Sequence, residues 1–129
     1  MSATTVSKSK KITTWILVGL VSLLVIMSSI VKLISPSDSE PAKNFIKWGL
    51  ENKLVIIGVF ELLSGLLFLY SKTSSLGVLL LTAYFGGAVA THIEHGEVTM
   101  SITPILIILL TWASAYVRNP EIFSSFKSK

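Results

Sequence analysis

Four long stretches of this chain carry at most one charge each. Ile12–Val31 is twenty residues without a charged side chain, Ser74–Thr91 is eighteen, and Met100–Val117 is another eighteen. Leu54–Tyr70 is seventeen residues with one charge, Glu61. A helix rises about 1.5 Å per residue, so roughly 17–25 residues cross a hydrocarbon layer about 30 Å thick. Each stretch is apolar around most of its circumference, unlike the one-sided stripe of a helix that meets water. Strict alternation is missing, and with it the signature of a membrane barrel. Only helices and closed barrels satisfy their backbone in lipid, so the expected fold is an all-α, four-helix transmembrane bundle. Composition agrees: 51% of the residues are hydrophobic, 14% are charged, and mean hydropathy is +0.73. Disorder is excluded by the same figures.

The expected division is a basic tail over residues 1–11, one membrane domain over 12–117, and a second tail over 118–129. The spans are placed at about 12–34, 54–70, 74–92 and 100–117, and the two ends of the chain are expected to be mobile. The first span is longer than the apolar core of a secretory signal and no small-residue cleavage site follows it, so it reads as retained. Between the first two spans, Ser39 or Asp38 can cap a short helix with Pro41 in its first turn. Phe45, Ile46, Trp48 and Leu50 give that helix an apolar side and Lys43, Lys47 and Lys53 a charged one, which suits the membrane interface.

Basic residues set the expected orientation. Lys8, Lys10, Lys11, Lys72, Arg118, Lys127 and Lys129 fall on one side, and Lys32, Lys43, Lys47 and Lys53 on the other. Seven against four places both termini in the cytoplasm of a multi-pass inner (plasma) membrane protein. The net charge of +4 is then a topology signal helped by anionic lipid. It is not a nucleic-acid surface, which would need clustered basic residues and a recognisable module. The chain has no cysteine, which removes thiolate chemistry, disulfides and cysteine metal sites.

Glu61 lies seven residues into its span, about 10 Å deep by helical rise. A carboxyl there costs at least a few kcal/mol unless it faces the bundle interior or gains a partner. Gly58, Glu61 and Gly65 share one narrow helical face, and small residues beside the acid let a neighbouring helix shield it. On the third span Gly77, Tyr84, Ala88 and Thr91 fall within about 60° of one another, with His92 at the outer end. Ala83, Gly86, Gly87 and Ala90 make small-xxx-small patterns suited to helix packing. Lys32, Glu61 and His92 therefore fall in the outer half on three different helices, with Tyr84 near the depth of Glu61. One reading is a polar pocket formed by Lys32, Glu61, Tyr84, Thr91 and His92. The other is a clamp that only fixes the helices. His92, Glu94, His95 and Glu97 hint at a metal, but two histidines and loop carboxylates do not make a ligand set, and no metal is expected. No phosphate loop, nucleophile elbow or zincin motif is present.

The stretch Gly58-Val-Phe-Glu61-Leu-Leu-Ser-Gly65 resembles the second-helix "G-x-x-E-L-x-x-G" pattern of DoxX-like membrane proteins. Gly86-Gly87-Ala88-Val89-Ala90-Thr91-His92 resembles that family's "G-A-x-x-T-H" signature, and Lys32-Leu33 its basic residue before the outer loop. The resemblance covers about residues 12–117. It implies a four-helix membrane protein, mainly bacterial, without a usual assigned activity, and in some relatives a link to quinone-dependent sulfur or redox complexes. The thiol pair of more distant relatives has no counterpart here. The leading expectation is an accessory or complex-forming subunit with no catalytic activity alone. Its partners would be the lipid bilayer and either a homo-oligomer or a membrane redox complex. No cofactor is required; a quinone is the one admitted by the alternative, a quinone-linked oxidoreductase component relaying protons through Glu61 and His92. A solute or proton pathway fits less well, because Leu66–Leu69 and Leu76–Leu81 are nearly all apolar.

Overall fold

A computed structural model describes residues 3–126. Five α-helices follow one another: α1 (Ala3–Ile34), α2 (Glu40–Lys47), α3 (Leu54–Leu69), α4 (Ser74–Glu94) and α5 (Ile102–Arg118). Short 3-10 turns lie at Ser71–Thr73, Val98–Ser101 and Pro120–Phe126. No strand occurs among the described residues. Helix α1 packs on α3 and α5, α3 on α4, and α4 on α5, which closes a four-helix ring. The apolar helical segments Lys8–Ile34, Ser71–Glu94 and Val98–Arg118 are each long enough to cross a bilayer, and α3 is a shorter apolar helix. The protein is a helical membrane bundle.

The outer surface is what lipid demands. Ile16, Leu23, Ile56, Leu63, Leu79 and Leu109 are each more than half exposed. The core is smaller and lies toward the chain termini: Val18, Val21, Val25, Phe68, Val78, Leu81, Phe85 and Ala115. Buried hydroxyls mostly satisfy themselves locally. Ser64, Thr111 and Ser114 donate to the carbonyls of Phe60, Ile107 and Leu110 one turn back, which adds no unpaired polar group to the interior.

Glycine sets how closely the helices approach. A Cβ on Gly58 would lie 3.2 Å from the Lys32 and Leu33 side chains, and one on Gly65 would lie 2.9 Å from Val25. These two positions draw α3 against α1 on either side of Glu61. At Gly77 a Cβ would collide with the backbone N and Cα of Phe68, so the α3–α4 hairpin closes only because that residue has no side chain. The hairpin's carbonyls are also capped from outside. The Thr73 hydroxyl donates to the Leu67 carbonyl at 2.8 Å, and the Arg118 guanidinium donates to the carbonyls of Phe68 and Leu69 while lying 4.8 Å from the Phe68 ring centroid. These contacts answer the unpaired carbonyls at the end of α3.

Several boundaries differ from the sequence expectation, by two residues or fewer at the ends of α4 and α5 and as follows elsewhere. Residues 3–11 belong to α1 instead of a separate tail. Nothing there breaks a helix, and the Thr13 and Thr14 hydroxyls bond the Ser9 and Lys10 carbonyls. Residues 120–126 form a 3-10 turn whose Phe123 packs on Trp112 and Tyr116, so aromatic contact orders that segment. Helix α3 ends at Leu69, because Tyr70 takes an extended conformation. At about 1.5 Å per residue, its 16 residues rise less than a full hydrocarbon thickness. Lys127 and Lys129, counted in the orientation argument, lie outside the described residues.

Candidate functional site

The buried acid sits where α1, α3 and α4 meet. Glu61 has no exposed surface. Its Oε2 receives the Lys32 ammonium at 2.8 Å and the Tyr84 hydroxyl at 3.1 Å. Lys32 also donates to the Ser28 hydroxyl at 2.6 Å, one turn back on its own helix. Phe60 stacks beside the Tyr84 ring, with centroids 6.2 Å apart. The lysine does not snorkel away to the interface; it turns inward because Gly58 brings the two helices together at its own Cβ. A buried pair of this kind holds its geometry only when further hydrogen bonds satisfy it. Here two are supplied to one oxygen and none to the other: among the described residues Glu61 Oε1 has no hydrogen-bond partner.

Glu61 also lines a cavity of about 770 Å³. Lys32 and Tyr84 line it with Glu61 from the bundle side, and Phe45, Trp48, Pro104 and Ile107 form part of its apolar wall. The void occupies the end of the bundle that carries α2, beyond the apolar core. Helix α2 forms as expected: Ser39 is its N-cap, accepting from the Ala42 amide, and proline stands in its first turn. Its aromatic side is turned inward, with Phe45 buried.

His92 is placed apart from the acid. Its ring meets the Trp48 ring edge-on at 5.0 Å, and its Nδ1 lies 3.9 Å from Glu97 Oε1, beyond hydrogen-bond reach. Thr91 lines the cavity, but its hydroxyl is spent on the Gly87 carbonyl at 2.9 Å. The five candidate residues thus all line one cavity, with Lys32, Glu61 and Tyr84 bonded together and Thr91 and His92 not bonded to them. Of the packing candidates, Gly58 and Gly65 make the expected close approaches. Gly86 and Gly87 do not, since a Cβ on either would meet nothing within 4 Å; Ala83 and Ala90 are likewise exposed. Their face of α4 turns outward or toward the void, and the α3–α4 approach is made by Gly77 instead. His95 is exposed with its ring nitrogen on the Thr91 carbonyl, and among the described residues no three histidine or acidic side chains gather around a common point.

The residues that sequence reasoning missed form a latch at the cavity rim. The Trp48 indole donates to Glu97 Oε1 at 2.7 Å, and Lys47 reaches Glu97 Oε2 at 3.0 Å. These contacts tie the end of α2 to the loop after α4. A sequence signal existed: Lys47 and Glu97 are opposite charges in the two loops at the same end of the bundle. The Trp48 hydrogen bond, followed by that of Lys47, holds the Glu97 carboxyl below the usual carboxylate range. A depressed carboxyl contributes stability above its free value, about pH 4.3, and loses it as pH falls through the lower latched value. Acidification from pH 6 to 3 is therefore expected to change Trp48 fluorescence in a W15F/W112F background, with most of the change below about pH 4.3. E97Q should abolish that step, because its amide does not titrate.

The sequence model of the DoxX-like family matches residues 16–114, a range that takes in every residue of the buried cluster and the whole cavity wall. No significant match is found among curated proteins or among solved structures.

Proposed function

This chain belongs to the DoxX-like family, and from that premise we propose that it is an accessory membrane protein, not catalytic alone, that holds a small lipid-soluble molecule in the cavity at the α2 end of the bundle. The observation that carries this reading is a largely apolar void of about 770 Å³ lined at one side by the bonded group Lys32, Glu61 and Tyr84. Binding cavities typically combine apolar walls with a few placed polar groups. The Tyr84 hydroxyl and one Lys32 N–H are spent on Glu61 and a second Lys32 N–H on Ser28, which favours a fixed floor over a group poised to react.

The second reading, a quinone-linked redox component, uses the same void. A quinone carbonyl needs a donor, and of the nearest two the Tyr84 hydroxyl is taken while the Lys32 ammonium has used two of its three N–H groups. Glu61 and His92 are not hydrogen-bonded to each other, so the relay would require added water. A through-going pathway is disfavoured by the core of Val18, Val21, Val25, Phe68 and Leu81 that closes the other end. Orientation follows the basic residues: with Lys32 consumed by Glu61, the α2 end keeps Lys43, Lys47 and Lys53, which supports placing both termini in the cytoplasm of an inner membrane. The exposed Gly86 and Ala90 leave a low face on α4 that suits a second copy or a redox-complex partner.

Gly87 supplies the test. It lines the cavity and has open space beyond its Cα, so G87L should narrow the void without disturbing a helix contact. In detergent, naphthalene derivatives are expected to raise the wild-type melting temperature. G86L should respond like the wild type, and G87L should fold normally and not respond. An equal response in G87L, or none in any protein, contradicts the binding reading.

A further inference from the structure

We propose that α2 is a lid between the cavity and water, and that Glu97 is the latch that holds it shut. The proposal concerns access to the void, whatever the void contains, so it stands or falls apart from the binding reading. Helices α1, α3, α4 and α5 form the sides of the cavity. Across its loop end lies α2, whose Pro41, Asn44 and Phe45, with Trp48 and Leu50 after it, complete the wall. The core of Val18, Val21, Val25, Phe68 and Leu81 closes the opposite end. The aqueous route to the void therefore runs beneath α2.

Helix α2 has eight residues and a turn on each side. Before it, the Ser39 amide donates to the Pro36 carbonyl at 3.1 Å. After it, the Leu50 amide returns to the Phe45 carbonyl at 2.7 Å, and Gly49 takes a φ of +76°, a left-handed cap that glycine adopts freely. Such positions at the ends of an element are where hinge motions are absorbed. The hold of α2 on the bundle has two parts. Ala42 and Phe45 are buried, and the Trp48 ring rests edge-on against His92; this apolar contact fixes where the lid sits. The polar part is one carboxylate, which takes the Trp48 indole N–H at 2.7 Å on one oxygen and the Lys47 ammonium at 3.0 Å on the other. Among the described residues, no other hydrogen bond or ion pair joins Glu40–Trp48 to residues beyond the α1–α3 connection. The latch is also releasable where the Lys32–Glu61 pair is not. Lys47 is 52% exposed and Glu97 lies in the loop after α4, so parting them strands no charge inside the bundle, whereas Glu61 has no exposed surface at all.

The chain has no cysteine, so a single introduced thiol reports alone. G87C places it on the cavity wall with open space around it, and E94C places it in an exposed position at the end of α4, outside the lid. In lipid nanodiscs, reaction with a charged, membrane-impermeant methanethiosulfonate reads how often water reaches each thiol, because modification tracks the population of the open form. With the latch intact, G87C should react far more slowly than E94C. Adding E97A removes both bonds and should speed G87C by about tenfold or more, the factor that one hydrogen bond to a charged group contributes to an equilibrium. E94C should keep its rate. K47M, which breaks one of the two bonds, should give an intermediate rate, and K47M with W48F replaces E97A should that variant fail to fold. A G87C thiol that already reacts as fast as E94C, or whose rate does not change when the latch is removed, would overturn the lid. So would reaction with a membrane-soluble maleimide but never with the impermeant reagent, which would place the entrance between helices on the lipid side.

Discussion

Replacing Lys32 with methionine is expected to destabilise the bundle by about 3–5 kcal/mol, the usual cost of stranding one member of a buried pair. The loss comes less from the missing attraction than from leaving Glu61 enclosed with only the Tyr84 hydroxyl for company. The double variant K32M/E61M should recover most of it, since two apolar side chains of similar length remove the charge altogether. Denaturant-dependent unfolding in mixed micelles measures both. A K32M protein within about 0.5 kcal/mol of the wild type would mean that the acid is solvated by some other route.

The second large effect belongs to Gly77. Adding a single methyl group there drives a Cβ into the backbone of Phe68, and backbone cannot rotate away as a side chain does. G77A should cost about 3 kcal/mol, the upper part of the range for overpacking, and should separate the ends of α3 and α4 that Thr73 and Arg118 hold. G86A, on the same helix but facing open space, is expected to stay within about 0.5 kcal/mol of the wild type. Parallel unfolding curves of the two variants check this. Equal stabilities would show that the hairpin is looser than the structure has it.

Much of this arrangement was legible in the residues themselves. The charge-free runs gave the helices, and the isolated acid flanked by Gly58 and Gly65 marked the face that α1 covers. The chain's first and last described segments were not legible as ordered, because their order comes from tertiary aromatic contact at Phe123 and from continuity with α1. Periodicity placed Gly77 beside Tyr84 on one face but could not say which glycine meets a neighbour. Small-xxx-small spacing pointed at Gly86 and Gly87, yet those glycines border space and the true contact is Gly77. Likewise the depth argument placed His92, Glu61 and Lys32 in one half of the membrane. It could not distinguish an imidazole bonded to the acid from one stacked on Trp48, since that depends on where α2 folds back.

The account turns on the Lys32–Glu61 contact inside the bundle. Solid-state NMR of the protein in lipid, with ¹⁵N-lysine and ¹³C-glutamate labels, reads it directly. The structure predicts a strong dipolar contact between Lys32 Nζ and the Glu61 carboxyl carbon that vanishes in K32M. A wild-type spectrum with no such contact would contradict the pairing and, with it, the floor of the proposed binding cavity.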